Sequence, residues 1–156
     1  MANAIGIRCT PKEVFFAICR SDNGALELIT VDSIIVPAAL TIPEKLKFIR
    51  NTLLDVIDLY KITNACIRIT EASAQQLNVE RVSIEAVIQE LFASSTIEKY
   101  YVGQISNITS RLSIPRADFL KIISGEIEYK PVRNFGTFKD ANKKECILAS
   151  ISSLNL

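Results

Sequence analysis

Three runs of β-type residues crowd the first 35 positions, and the links between them are too short for anything but hairpins. Ala4–Cys9 is followed by the turn Thr10-Pro11-Lys12, then by Val14–Cys19 with its Val, Phe, Phe and Ile. Ser21-Asp22-Asn23-Gly24 reads as the second turn, since Asn and Gly tolerate positive φ, and Leu26–Ile35 is the third strand. A parallel return needs a crossover, so these three strands form an antiparallel meander.

The periodicity then changes. Thr41 with Glu44 three residues on is a capping-box pattern, and Pro43 sits in the first turn where its missing N–H costs nothing. Leu46, Ile49, Leu53, Ile57 and Tyr60 recur at helical spacing, with Lys47, Arg50, Asp55 and Asp58 on the other face. Ala65–Thr70 reads as a buried strand. The polar stretch Glu71–Asn78 leads to a helix over about Val79–Ala93, with Ile84, Val87, Ile88 and Leu91 inward and Gln89, Glu90 and Phe92 outside the stripe. Ile97–Val102 is a fifth strand, on which the adjacent Tyr100 and Tyr101 face opposite sides and are expected in the core. One later helix starts near Pro115 and ends at Gly125, and another covers about Asn142–Leu154. Between them Glu126–Lys139 is irregular, broken by Pro131 and Gly136. The expected fold class is α/β: a mixed five-stranded sheet, three strands antiparallel and two added in parallel through right-handed helical crossovers. At 156 residues this is one domain, residues 1–156.

Scarce residues narrow the chemistry. The chain has no histidine, which removes Ser-His-Asp and Cys-His nucleophile pairs and histidine-containing zinc and iron sites. Cys9, Cys19, Cys66 and Cys146 show no C-x-x-C pattern and lie in apolar stretches, so buried thiols are expected rather than disulfides or metal ligands. The five glycines form neither a dinucleotide-binding fingerprint nor a P-loop. No apolar stretch is long enough to cross a bilayer and no secretory leader is evident, so no membrane role is expected and the cytoplasm is the default compartment.

The element order from Ala4 to Ser152 resembles the ribonuclease H-like superfamily, in its resolvase-type (RuvC-like) branch, and is similar to small uncharacterised bacterial resolvase-like proteins. The resemblance is carried by Ile5-Gly6-Ile7-Arg8 on the first strand, Ala65-Cys66-Ile67-Arg68 on the fourth, and Glu145-Cys146-Ile147-Leu148-Ala149 in the last helix. It implies acids from these three elements converging on two divalent ions, which stabilise the attacking and leaving oxygens of phosphodiester cleavage. This sequence departs from that pattern. Arg8 stands at the first-strand acid and Arg68 at the fourth-strand acid, and only Glu145 matches. A permanent cation cannot ligate Mg²⁺ and repels it.

Several readings follow. In one, Arg8 and Arg68 are neighbours across paired strands and share Glu145 as a bidentate partner, with no metal and no catalytic residue. In a blander one, both arginines reach solvent at the sheet's edge; in a sharper one, they grip a phosphate or other anion. In a fourth, Glu71, Asp140 and Glu145 rebuild a Mg or Mn site, which requires an irregular end to the fourth strand.

Charge is unevenly distributed: 9 basic and 12 acidic residues up to Glu98, then 9 basic and 5 acidic, or −3 against +4. In the later part Lys130, Arg133, Lys139, Lys143 and Lys144 alternate with Tyr129, Phe135 and Phe138, a mix suited to nucleic-acid binding, or else a solvated face with its aromatics folded inward. The resemblance further implies a homodimer paired through the helix Val79–Ala93. The function expected is that of a catalytically degenerate resolvase-like domain, a pseudo-nuclease acting by binding or assembly on nucleic acid. The competing expectations are a metal-dependent nuclease with a rearranged carboxylate site and a protein-interaction subunit without nucleic acid.

Overall fold

The computed structural model describes residues 1–156. The opening meander is β1 (Ala2–Cys9), β2 (Glu13–Asp22) and β3 (Ala25–Ile35), all antiparallel. Asn23 and Gly24, at φ of 50° and 82°, close the β2–β3 hairpin in the left-handed region, which Gly enters freely for want of a Cβ and Asn tolerates. After α1 (Ile42–Tyr60), β4 (Asn64–Arg68) returns parallel to β1; after α2 (Val79–Ser94), β5 (Lys99–Gly103) returns parallel to β4. The sheet order is β3-β2-β1-β4-β5, with α3 (Ile105–Leu112), α4 (Asp118–Ser124) and α5 (Ala141–Ser153) following β5. This is the mixed sheet that the periodicity implies. Glu44 Oε2 accepts from Thr41 N at 3.1 Å, completing that half of the cap that starts α1.

The sheet separates two apolar layers. Ile5, Ile7 and Cys9 of β1 pack with Ile49, Leu53 and Ile57 of α1 and Ile84, Ile88 and Leu91 of α2. On the other face Ala17 and Cys19 meet Cys146, Ile147 and Ala149 of α5 and Phe119 of α4. Gly6 is why α5 can lie against the strand: a Cβ at this position would overlap the backbone at Cys146 O and Ser150 N. The contact then becomes polar without leaving a group unpaired. Ser150 Oγ donates to Ala4 O at 2.8 Å and accepts from Cys19 N at 3.2 Å, where the β2–β3 register slips. At the end of α5, Asn64 Nδ2 donates to Ser153 O at 2.8 Å.

Several expectations need correction. Residues 105–112 form a helix absent from the sequence expectations: Ile105, Ile108 and Leu112 recur at helical spacing with Ser106, Asn107 and Ser110 on the opposite face, but the stripe spans only two turns. The helix expected from Pro115 is α4, starting at Asp118. Phe92, placed outside the α2 stripe, is buried: it meets Tyr100 with ring centroids 6.0 Å apart, because α2 is covered by both α1 and the sheet. Tyr101 turns inward to Ser152, whereas Tyr100, expected in the core, remains 45% exposed on the other face of an edge strand. All four cysteines are free and buried.

Candidate functional site

Parallel register places Arg8 opposite Arg68 at the C-terminal ends of the two central strands β1 and β4. Both point to the face covered by α5, whose Glu145 comes down between them. Arg8 Nε lies 2.9 Å and Arg68 Nε 3.4 Å from the same atom, Glu145 Oε2. The bidentate fork expected from the sequence is not formed. One carboxylate oxygen bridges two guanidinium groups, at ion-pair distance but without the N–H alignment of a hydrogen bond. Arg8 Nη1 instead donates to Arg68 O at 3.1 Å, and Arg68 Nη1 donates to Ile69 O.

The fourth strand does end early, at Arg68, and the chain turns so that Glu71 Oε1 reaches Arg68 Nη2 at 3.3 Å while accepting from Ile105 N at 2.8 Å. A further pair comes from α2: Arg81 Nε meets Glu85 Oε1 at 3.3 Å, and the same oxygen accepts from Thr70 N at 3.1 Å and Thr70 Oγ1 at 3.0 Å. Three arginines and three glutamates therefore cancel in charge. Arg68 is almost fully enclosed, its side chain 4% exposed and its guanidinium 6.0 Å from the Phe119 ring centroid. Burial, partly offset by Glu145, lowers the Arg8 pKa to about 10, with Arg68 and Arg81 pushing the same way as burial, so Arg8 stays charged at neutral pH.

Arg81 and Glu85 were missed at the sequence level. The available signal was an acid at the flank of an apolar stripe, one residue after Ile84 and three before Ile88, with an arginine four residues earlier.

The donor set does not suit the two divalent ions that the resemblance implies. Glu145 and Glu71 are engaged by guanidinium groups, and Asp140 caps α5 through Asn142 N at 2.7 Å instead of joining Glu145. No three acids or thiols come close enough together to hold a metal ion. The anion version gains no support either: five cavities of the molecule are lined by residues other than Arg8, Arg68 and Glu145.

The cations of the basic segment divide. Lys130, Arg133 and Lys139 are exposed and Lys143 is half-buried. Lys144 is buried at 6% exposure, with Nζ donating to Ile123 O at 3.0 Å, so it leaves the surface patch that the sequence suggested. Tyr129 and Phe135 pack on each other inside, centroids 5.4 Å apart, and Phe138 is half-buried, so Tyr129 and Phe135 offer no stacking platform for bases.

No protein-family profile and no curated protein sequence matches the chain. Solved structures do. Thermus thermophilus RuvC superposes with a TM-score of 0.69 at 9% identity, covering 98% of this chain and 93% of that one. The fold is that of the RuvC-type resolvases. RuvC in complex with a Holliday junction substrate gives the same TM-score at 8% identity, with the same coverage. The yeast mitochondrial Holliday junction resolvase gives 0.57 at 8% identity over 97% of this chain and 75% of its own. The shared resolvase fold places β1, β4 and α5 together, and this chain lines their junction with arginine and glutamate.

Proposed function

We propose that the chain is a catalytically degenerate resolvase-fold domain, a cytoplasmic pseudo-nuclease that acts by binding or assembly, with nucleic acid as its partner. The observation carrying this reading is the pair Arg8 and Arg68 on one oxygen of Glu145. Two guanidinium groups hold the place that the fold's nucleases reserve for acids, and their fixed charge opposes divalent ions. The nucleic-acid part draws support from the exposed Lys130, Arg133 and Lys139 and from the fold's neighbours, two of which were solved with Holliday junction substrates. Pairing of two copies through α2, which exposes Val79 and Val82, belongs to the same proposal.

Incubation with junction, duplex and hybrid substrates in Mg²⁺ or Mn²⁺ is expected to leave all three intact. Cleavage that disappears in Glu145→Ala would overturn the degenerate-centre reading. Binding is expected to weaken with salt and with Lys130→Glu/Arg133→Glu. Indifference to both would leave an interaction domain without a nucleic-acid role.

A further inference from the structure

Lys144 is the only buried lysine, and it makes no salt bridge. Its single hydrogen bond caps the end of α4 at Ile123 O, and its ammonium lies 5.8 Å from the Phe135 ring centroid. These contacts offset part of the cost of a buried charge, yet two of its three N–H groups remain uncommitted.

The surroundings are open. A cleft of about 660 Å³ between α4 and the segment ending at Lys139 is lined by Leu120, Ile123, Gly125, Gly136, Lys139 and Lys144, among others, with no acid in its wall. A deeper cavity of about 140 Å³, reaching Tyr129, Phe135 and Glu128, shares Gly125, Gly136 and Lys144 with it. A Cβ on Gly136 would meet nothing within 4 Å. Lys139 Nζ lies 3.5 Å from Gly136 O, which holds a second ammonium at the mouth.

We propose that this cleft binds a phosphomonoester, with Lys144 at its floor and Lys139 at its mouth. Two ammonium groups match a dianion, and lysine serves a tetrahedral phosphate as a point charge, where a planar carboxylate would favour an arginine fork. Leu120 and Ile123 offer apolar wall to the organic part of the ligand, and the volume falls in the range of small-molecule sites. That the phosphate belongs to a nucleotide, either free or at the end of a strand, rests on the nucleic-acid part of the proposed function; the phosphate site itself rests on the two lysines and the cleft. The site does not rest on the degenerate-centre reading, because α5 sends Glu145 to the strand ends and Lys144 to α4.

The test is calorimetric titration and thermal unfolding of the full chain with inorganic phosphate, adenosine monophosphate, and one single-stranded oligonucleotide with and without a 5′-phosphate. Phosphate and the mononucleotide are expected to bind saturably and raise Tm. Lys144→Met should weaken mononucleotide binding about tenfold or more. Gly136→Leu, at a glycine without positive φ, should do the same by filling the cleft, and keeps the test sound if Lys144→Met misfolds. A preference for the phosphorylated strand assigns the ligand to a strand end; mononucleotide binding without that preference assigns it to a free nucleotide. No binding of phosphate or mononucleotide, or binding unchanged in both variants, overturns the site. Strand binding that ignores the 5′-phosphate and Gly136→Leu, with no mononucleotide binding beside it, also overturns the site and leaves the strand to the exposed basic patch.

Discussion

Two neighbouring residues of α5 carry buried charge into opposite settings. Glu145 enters a cluster where every charge has a counter-charge, and Lys144 enters a cleft where the ammonium has only a carbonyl and an aromatic ring. The first arrangement is closed: guanidinium and carboxylate charges offset one another at ion-pair distance, though without aligned hydrogen bonds between Glu145 Oε2 and the two Nε atoms, and they organise the strand ends. The second is open, because a cation lacking a counter-ion beside empty space retains attraction for an anion. Buried charge alone therefore does not mark a binding site; the presence or absence of its partner does.

Gly6→Ala should break both settings at once. The added methyl meets the α5 backbone, not a flexible side-chain end, so α5 must shift with both residues. Loss of a cooperative urea transition is the expected outcome; a native-like transition would show that α5 is not pinned to β1.

Alkaline unfolding measures the background shared by both settings. Burial raises the pKa of Cys19 from 9.0 to about 11 and of Cys66 to about 12, and raises Cys9 and Cys146 as well. The folded state thus keeps protons that the unfolded chain releases near pH 9, so stability falls as pH rises from there. Arg8 has the opposite sign, since its lowered pKa of about 10 adds stability from about pH 10 towards 12.5, but one arginine is outweighed by four thiols. Urea midpoints that do not fall between pH 8.5 and about pH 10.5 would show that the thiols are not desolvated.

Glu145→Ala isolates the closed cluster. It leaves Arg8 and Arg68 facing each other without their shared anion, and should cost about 3 kcal/mol in urea unfolding. A loss below about 0.5 kcal/mol would mean that solvent already screens the pair.

The double substitution Arg8→Asp/Arg68→Glu asks whether sign alone separates this centre from a metal site. Three carboxylates would then meet at the strand ends, and Mn²⁺ should raise Tm in the variant but not in the native chain. At about a hundredfold excess over Kd the gain is about 2.7 kcal/mol. An equal shift in the native chain would contradict the ion-cluster reading.

Lys144→Met should give the smallest change. Exchanging an unpaired buried ammonium for a thioether of similar length is expected to leave stability within about 0.5 kcal/mol or to raise it, opposite in direction to Glu145→Ala. A large destabilisation would mean that the Ile123 carbonyl and the Phe135 ring are already a sufficient partner.

Local chemistry made much of the fold legible. The Asn23-Gly24 turn, the Thr41–Glu44 cap and the alternation from hairpins to helical crossovers depend on near neighbours in the chain, so residue order implied strand count and direction, whereas the meeting of Arg8, Arg68 and Glu145 was one of several readings that residue order left open. What needed the tertiary structure depends on distant segments. Glu71 joined the cluster because β4 ends at Arg68 and Ile105 N awaited its carboxylate. Arg81 and Glu85 arrived because α2 lies across the strand ends, and Lys144 was buried because α4 and the segment from 126 to 140 fold over it. Residue type and spacing determine which charges a segment carries, but whether a charge is paired, solvated or stranded depends on which distant surface closes over it.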